Sequence, residues 1–155
     1  MNIELGTVFR WNNFPFPKYG GEEKARWFIC IGFSGIFAQV AVAYLCTTTT
    51  HLQQFGPAGK RKNHDHFKFS KDQFPIFEQD CVVDFDAPIY DVEIAKIDND
   101  IANIEIKGKL AQDTMRMVYK RFLRSPFLSP VTLRDIYDSF NKAGITGLLR
   151  PKASR

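Results

Sequence analysis

A chain of 155 residues with 45% hydrophobic side chains is one domain by length and can bury a core, which excludes an intrinsically disordered protein. Its 21 Lys and Arg against 17 Asp and Glu leave a net charge of +4, a balance that permits a nucleic-acid partner without demanding one. The 14% aromatic fraction favours strands over a helical bundle, and no apolar run reaches the roughly 18 residues that a bilayer span needs.

The opening Met1-Asn2-Ile3-Glu4 lacks the basic and apolar stretches of a secretory signal, so a cytoplasmic protein without a membrane segment is expected. Residues 7–12 form a short β-rich run, and residues 13–21, with Pro15, Pro17 and a Gly-Gly pair, read as a loop. Arg26–Phe33 is nearly continuously apolar, as a central buried strand would be. A turn at residues 32–35 leads to a second core strand over 39–46, which runs out into Thr47-Thr48-Thr49-Thr50. A Gly, Pro and basic loop over 56–62 follows, then short strands at His66–Phe69, 81–85 and 89–94. Several short strands linked by turn residues predict a small barrel.

Beyond Lys107 the apolar period changes to that of a helix. Met115, Val118, Tyr119 and Phe122 share one face, and Arg116, Lys120 and Arg124 form a basic stripe away from it. Ser125-Pro126 ends this helix. A second opens with Ser129 as N-cap and Pro130 in the first turn, carries Leu133, Ile136, Tyr137 and Phe140, and closes at Gly144. The fold class is mainly β with C-terminal helices, organised as a body over residues 1–124 and a helical extension over 125–155 packed on the same domain.

Charge is segregated along the chain. Ten acids and the single base Lys96 fall between Asp72 and Glu105, while bases gather at Lys60-Arg61-Lys62, at Lys68 and Lys71, and from Lys107 to Arg124. Such a layout can turn a positive face to a polyanion, or can dissolve into surface ion pairs. The spacings of Cys30, Cys46 and Cys81 match no metal or redox pair, so they read as free buried thiols.

No P-loop, dinucleotide fingerprint, nucleophile elbow or zincin motif is present. His64-Asp65-His66, with His51 upstream, could turn two imidazoles to one side. No third ligand is identifiable nearby and a Lys-Arg-Lys run precedes them, so they read as polar loop or strand residues; neither metal nor cofactor is expected. The more informative constellation is Gly21-Glu22-Glu23-Lys24-Ala25-Arg26, which opens one core strand while threonines close the next. If those strands are neighbours, Arg26 and Thr47, Thr48 or Thr49 meet at the rim. There an arginine holds a phosphate bidentately and a hydroxyl orients an oxygen of it.

Leu5-Gly6-Thr7-Val8, the Gly-Glu-Glu-Lys-Ala-Arg run, the apolar strand and the threonine-ended strand together resemble the PemK/MazF-like toxin family. Further along, His66-Phe67-Lys68-Phe69, the strand after Phe77-Glu78-Gln79-Asp80, and Lys107-Gly108-Lys109-Leu110 before a helix continue the series to about residue 124. The resemblance implies an SH3-like barrel of the PemK/CcdB type with an added C-terminal helix, usually a homodimer, that cuts single-stranded RNA without a metal through the substrate's own 2′-OH. By position it implies Arg26 and either Thr47 or Thr48 as catalytic residues. Lys18, Lys24, Phe16, Lys60, Arg61 and Lys62, with Phe55 as a further stacking ring, would hold RNA, and an antitoxin peptide would be the partner. The chain departs from the pattern at Trp27, where the family usually has proline, at Asp86-Ala87-Pro88-Ile89, and in the helix from Ser129. The same fold also hosts noncatalytic nucleic-acid- or protein-binding barrels and toxins of a protein target such as a topoisomerase, and the residues leave all three readings open.

Overall fold

A computed structural model describes residues 2–16 and 24–152. Within them the chain forms seven strands: β1 (Thr7–Trp11), β2 (Arg26–Phe33), β3 (Val42–Thr49), β4 (His66–Phe69), β5 (Cys81–Asp84), β6 (Tyr90–Glu93) and β7 (Ile104–Lys109). A short helix, α1 (Ile94–Asn99), precedes β7, and α2 (Gln112–Phe122) and α3 (Pro130–Lys142) follow it. The strands make one antiparallel sheet in the order β4-β5-β3-β2-β1-β7. The edge of β3 left free by β2 is divided: Val42 to Leu45 pair with β6, and Thr48 and Thr49 pair with β5.

The register explains why the central strands are apolar throughout. Side chains alternate across the sheet, and here both faces are covered. One face turns Val8, Ile29, Ile31, Tyr44 and Cys46 towards Met115, Val118, Tyr119 and Phe122 of α2 and Ile136 and Phe140 of α3. The other packs Phe9, Trp11, Phe28, Cys30 and Leu45 with Phe14, Tyr90, Val92 and Ile97 of α1. Trp11, Phe14, Phe28 and Tyr90 meet there ring against ring at centroid distances of 4.9 to 6.3 Å. Fully burying each such side chain stabilises the fold by about 1.5–3 kcal/mol.

Helices α2 and α3 form where their patterns indicated. The Ser129 hydroxyl accepts the Thr132 N–H as an N-cap, with Pro130 in the first turn. Gly144, at φ +86°, takes the left-handed conformation that follows the helix. Leu128, Ile136, Phe140 and Ile145 join the same cluster as β2 and α2, so the C-terminal extension shares the core of the body.

Two strands and one helix differ from the sequence expectation. β3 begins at Val42, and residues 39–41 belong to the hairpin turn. β7 pairs with β1 along its length, with a bulge where Val8 faces Gly108 and Phe9 faces Ile106. Its polar alternation of Glu105 and Lys107 and its Gly108 hid it in the sequence. α1 was likewise hidden, inside the acidic run. Part of that acidic run is met by bases from elsewhere: Lys68 lies 3.6 Å from Asp80, and Lys107 lies 2.9 Å from Glu78 and 3.7 Å from Glu105. These pairs are mostly exposed, and each contributes at most about 1 kcal/mol.

Candidate nucleic-acid interface

A cleft of about 660 Å³ opens at the end of the β2–β3 ribbon. It is lined by Lys24 and Arg26 from the start of β2, by Thr47 to Thr49 from the end of β3, by Thr50, His51 and Arg61 from the loop beyond, and by Glu78 and Cys81 around the start of β5. Arg26 and the threonines, 21 or more residues apart in sequence, are brought together because β2 and β3 pair antiparallel, with Phe28 opposite Thr47. Trp27, Phe77 and Tyr90 supply the cleft's aromatic wall.

Register also separates the threonines. Residues two apart on a strand share a face, so Arg26, Phe28, Thr47 and Thr49 lie on one side of the sheet, whereas Trp27 and Thr48 lie on the other. The hydroxyl of Thr48 engages the Cys81 sulfur. That of Thr49 accepts the His51 backbone N–H at 3.1 Å. Among the described residues the Thr47 hydroxyl has no partner. Of the two threonines that the sequence left undecided, Thr47 is the one whose hydroxyl is free on the arginine's face.

The electrostatics single out Arg26 in the same way. Four cations line the cleft against one carboxylate, Glu78. Arg61 is tied to Asp84 at 3.3 Å, and Arg10 lies 3.9 Å from Glu105. Neither Lys24 nor Arg26 has an ion-pair partner among the described residues. Among the described residues the buried Arg26 Nε has no hydrogen-bond partner. A buried donor left unmade costs about 1–3 kcal/mol. A guanidinium presents a planar fork matched to phosphate, and it stays charged at any working pH.

Cys81 also reaches the cleft wall, but it is not a nucleophile there. Burial pushes its thiol up to about 11, the contact with Thr48 pulls it part of the way back, and Asp80 adds a small further rise. Burial raises Cys30 to about 12 and Cys46 higher still. All three cysteines are free and buried, as the sequence indicated.

The residues expected to grip RNA divide. Lys24 lines the cleft. Arg61 does too, but the nearly buried carboxylate of Asp84 holds it, together with His64 at 2.9 Å. Lys60 and Lys62 are exposed on the same loop and do not line the cleft. Phe16 is a correction: its ring packs edge-on against Trp11 and Phe14, with Lys96 over it at 5.2 Å, away from the cleft. Phe55 is another: it is buried against the His66 ring at 4.8 Å, so no base can stack on it. Lys18 lies outside the described residues. The sequence reading missed His51 as a cleft residue, although its place directly after the threonines was the signal. The His64-Asp65-His66 run is engaged locally, His64 with Asp84 and the His66 Nδ1 with the His64 carbonyl at 2.9 Å. Among the described residues no three His, Cys, Asp or Glu side chains are grouped to hold a metal ion.

Fold and site together define a mainly β protein with a seven-stranded antiparallel sheet and a basic, threonine-walled cleft at one end of it. No family model matches the chain, and no curated protein or solved structure matches it significantly. No helix among the described residues is long and apolar enough to cross a membrane.

Proposed function

We propose that the cleft binds single-stranded RNA and cleaves it without a metal, and that the protein is a cytoplasmic, toxin-like endoribonuclease built on an SH3-like barrel and restrained by an antitoxin peptide. The observation that carries this reading is the Arg26 side chain, without an ion-pair partner among the described residues, in the wall of a cleft that the free hydroxyl of Thr47 lines from the same face of the sheet. In this chemistry the substrate 2′-OH attacks its own phosphorus, and the bond to the 5′-oxygen breaks. A 2′,3′-cyclic phosphate and a free 5′-OH are left. The protein has only to orient the chain and stabilise charge on the phosphorane. Arg26 does the second as a permanent cation. Thr47 orients a phosphate oxygen. In this reading His51 and Glu78, which both line the cleft, take the 2′-OH proton and return one to the leaving oxygen. Trp27, half-buried in the cleft wall with the Lys107 ammonium over its ring at 5.3 Å, stands where the family has proline.

The test is incubation of purified protein with a long single-stranded RNA in EDTA, beside the Arg26→Ala variant. Discrete fragments ending in cyclic phosphate from the wild type alone are expected. RNA left intact by folded wild-type protein that still retains it on a filter would replace the ribonuclease with a noncatalytic binding module. RNA neither cut nor retained would remove the nucleic-acid reading altogether.

A further inference from the structure

The helical part of the chain is charged unlike the rest. From Leu110 to Lys152 there are eight Lys and Arg against three Asp and no Glu. Among the described residues only one of the eight is ion-paired, Arg121 with Asp65. The acids do little to offset the others. Asp113 sits in the first turn of α2, where a negative charge suits the helix dipole, and Asp135 accepts the Tyr44 hydroxyl at 2.7 Å. Of the three, Asp138 alone lies among the unpaired cations.

Those cations share one face. Lys120 and Arg124 stand one and two turns beyond Arg116, on the side of α2 turned from the core. The Arg116 guanidinium donates to the Thr146 carbonyl at 2.6 Å, and the Tyr119 hydroxyl donates to that of Leu149 at 2.5 Å. Residues 146–149 therefore run along α2. The same segment continues to α3, where Arg150 lies over the Tyr137 ring at 5.9 Å. There a cleft of about 520 Å³ holds Arg134, Arg150 and Lys152 beside Pro130, Val131 and Pro151. The closing segment, residues 146–152, thus joins the two helices in one surface. Bare apolar side chains stand among the cations: Phe127 between the helices, Val131 in the first turn of α3, and Leu149, 75% exposed, in the closing segment.

Cations alone would suit any polyanion. The apolar side chains between them add a second requirement, because a nucleic-acid backbone is polar and charged along its length. A bilayer surface offers both, with phosphates at the headgroups and hydrocarbon within about 5–10 Å of them. We propose that this face docks on an anionic lipid bilayer, with Phe127, Val131 and Leu149 entering the boundary between headgroups and acyl chains while the surrounding cations meet lipid phosphates. Helices α2 and α3 cover the sheet face opposite the one that Arg26 shares with Phe28, so the Arg26 cleft stays open in a docked copy. The docking does not depend on the ribonuclease reading.

The test is flotation of the full chain with vesicles of equal parts phosphatidylglycerol and phosphatidylcholine, beside vesicles of phosphatidylcholine alone. The protein should float with the anionic vesicles only, and high salt should weaken the binding. The triple variant Arg134→Gln, Arg150→Gln, Lys152→Gln should bind them about a hundredfold more weakly, the combined worth of three charges near an anionic surface. The double variant Val131→Ser, Leu149→Ser should bind roughly tenfold more weakly. All five positions are exposed, so circular dichroism should show both variants folded. Lys109→Gln, at an exposed lysine of β7 paired with Glu4, is the control and should float like the wild type. A folded wild type that does not float with anionic vesicles would overturn the proposal. So would equal flotation with phosphatidylcholine alone, or binding indifferent to either variant. Single-stranded RNA retained on a filter by the wild type and released by the triple variant, with no flotation, would overturn it in favour of a nucleic-acid backbone.

Discussion

The two ends of the β2–β3 ribbon use the same pairing in opposite ways. At the Arg26 end, strand pairing brings a cation and three threonines to a cleft wall and leaves the cation's Nε buried without a partner among the described residues. At the hairpin end it thrusts Ile36 and Phe37 into solvent with no charge among their neighbours in sequence. Between them, from Phe28 to Ile31, every side chain is buried. A polar donor inside without a partner and an aromatic ring outside are both unfavourable in the isolated chain. The contrast sets an unpaired buried donor at one end of the ribbon against bare apolar side chains at the other.

That comparison can be broken most sharply at Arg26. Arg26→Ala should lower the RNA cleavage rate by about 10²–10³-fold, the usual loss when one electrostatic stabiliser is removed. It should leave the melting temperature unchanged or slightly raised, since an unsatisfied donor goes with it. A large drop in stability would mean that Arg26 is a structural residue instead. The covered and bare aromatics give the next contrast. Phe140, fully buried against Tyr119, should cost about 3–5 kcal/mol on change to alanine, read by denaturant unfolding. Phe37→Ala should stay within about 0.5 kcal/mol of wild type. Equal losses would show that the hairpin is packed rather than bare.

Within the cleft, Thr47→Val should slow cleavage by roughly tenfold, the worth of one hydrogen bond to a charged group, and Thr48→Val should barely change it. The reverse order would exchange their roles. The smallest effect concerns the thiols. With Cys30 raised to about 12 and Cys81 to about 11, both remain protonated through neutral pH, and the thiolate is lost as pH falls below those values. Iodoacetamide at neutral pH should therefore add nothing to the native protein and three groups to the unfolded one, counted by mass spectrometry.

The strands that both faces cover were readable because continuous apolar runs such as Arg26–Phe33 have few alternatives. β7 was not, because an edge strand with charges on its open side lacks that pattern, and its partner lies far away in the sequence. Arg26 and the threonines were legible as a group, since strand ends juxtapose them. Choosing among the threonines required register, the Cys81 contact and the His51 N–H, which no local pattern encodes. Aromatic residues misled in the opposite direction. Phe16 and Phe55 sit in loops rich in turn residues, where exposure is the natural expectation, yet each is claimed by other rings. The basic loop misled likewise, because the carboxylate that holds Arg61 comes from β5, 23 positions on.

The pairing of β1 with β7 sets an order of events during synthesis. Thr7 finds Lys109 roughly a hundred residues later, so the first strand to leave the ribosome waits for nearly the last. Until then one side of β1 offers unpaired amides and carbonyls to any neighbouring nascent chain. The early β1–β2 hairpin covers only the other side. Yield in a cell should therefore depend on how quickly residues 104–109 arrive, and slow codons before them should send more chains into aggregates than slow codons after them.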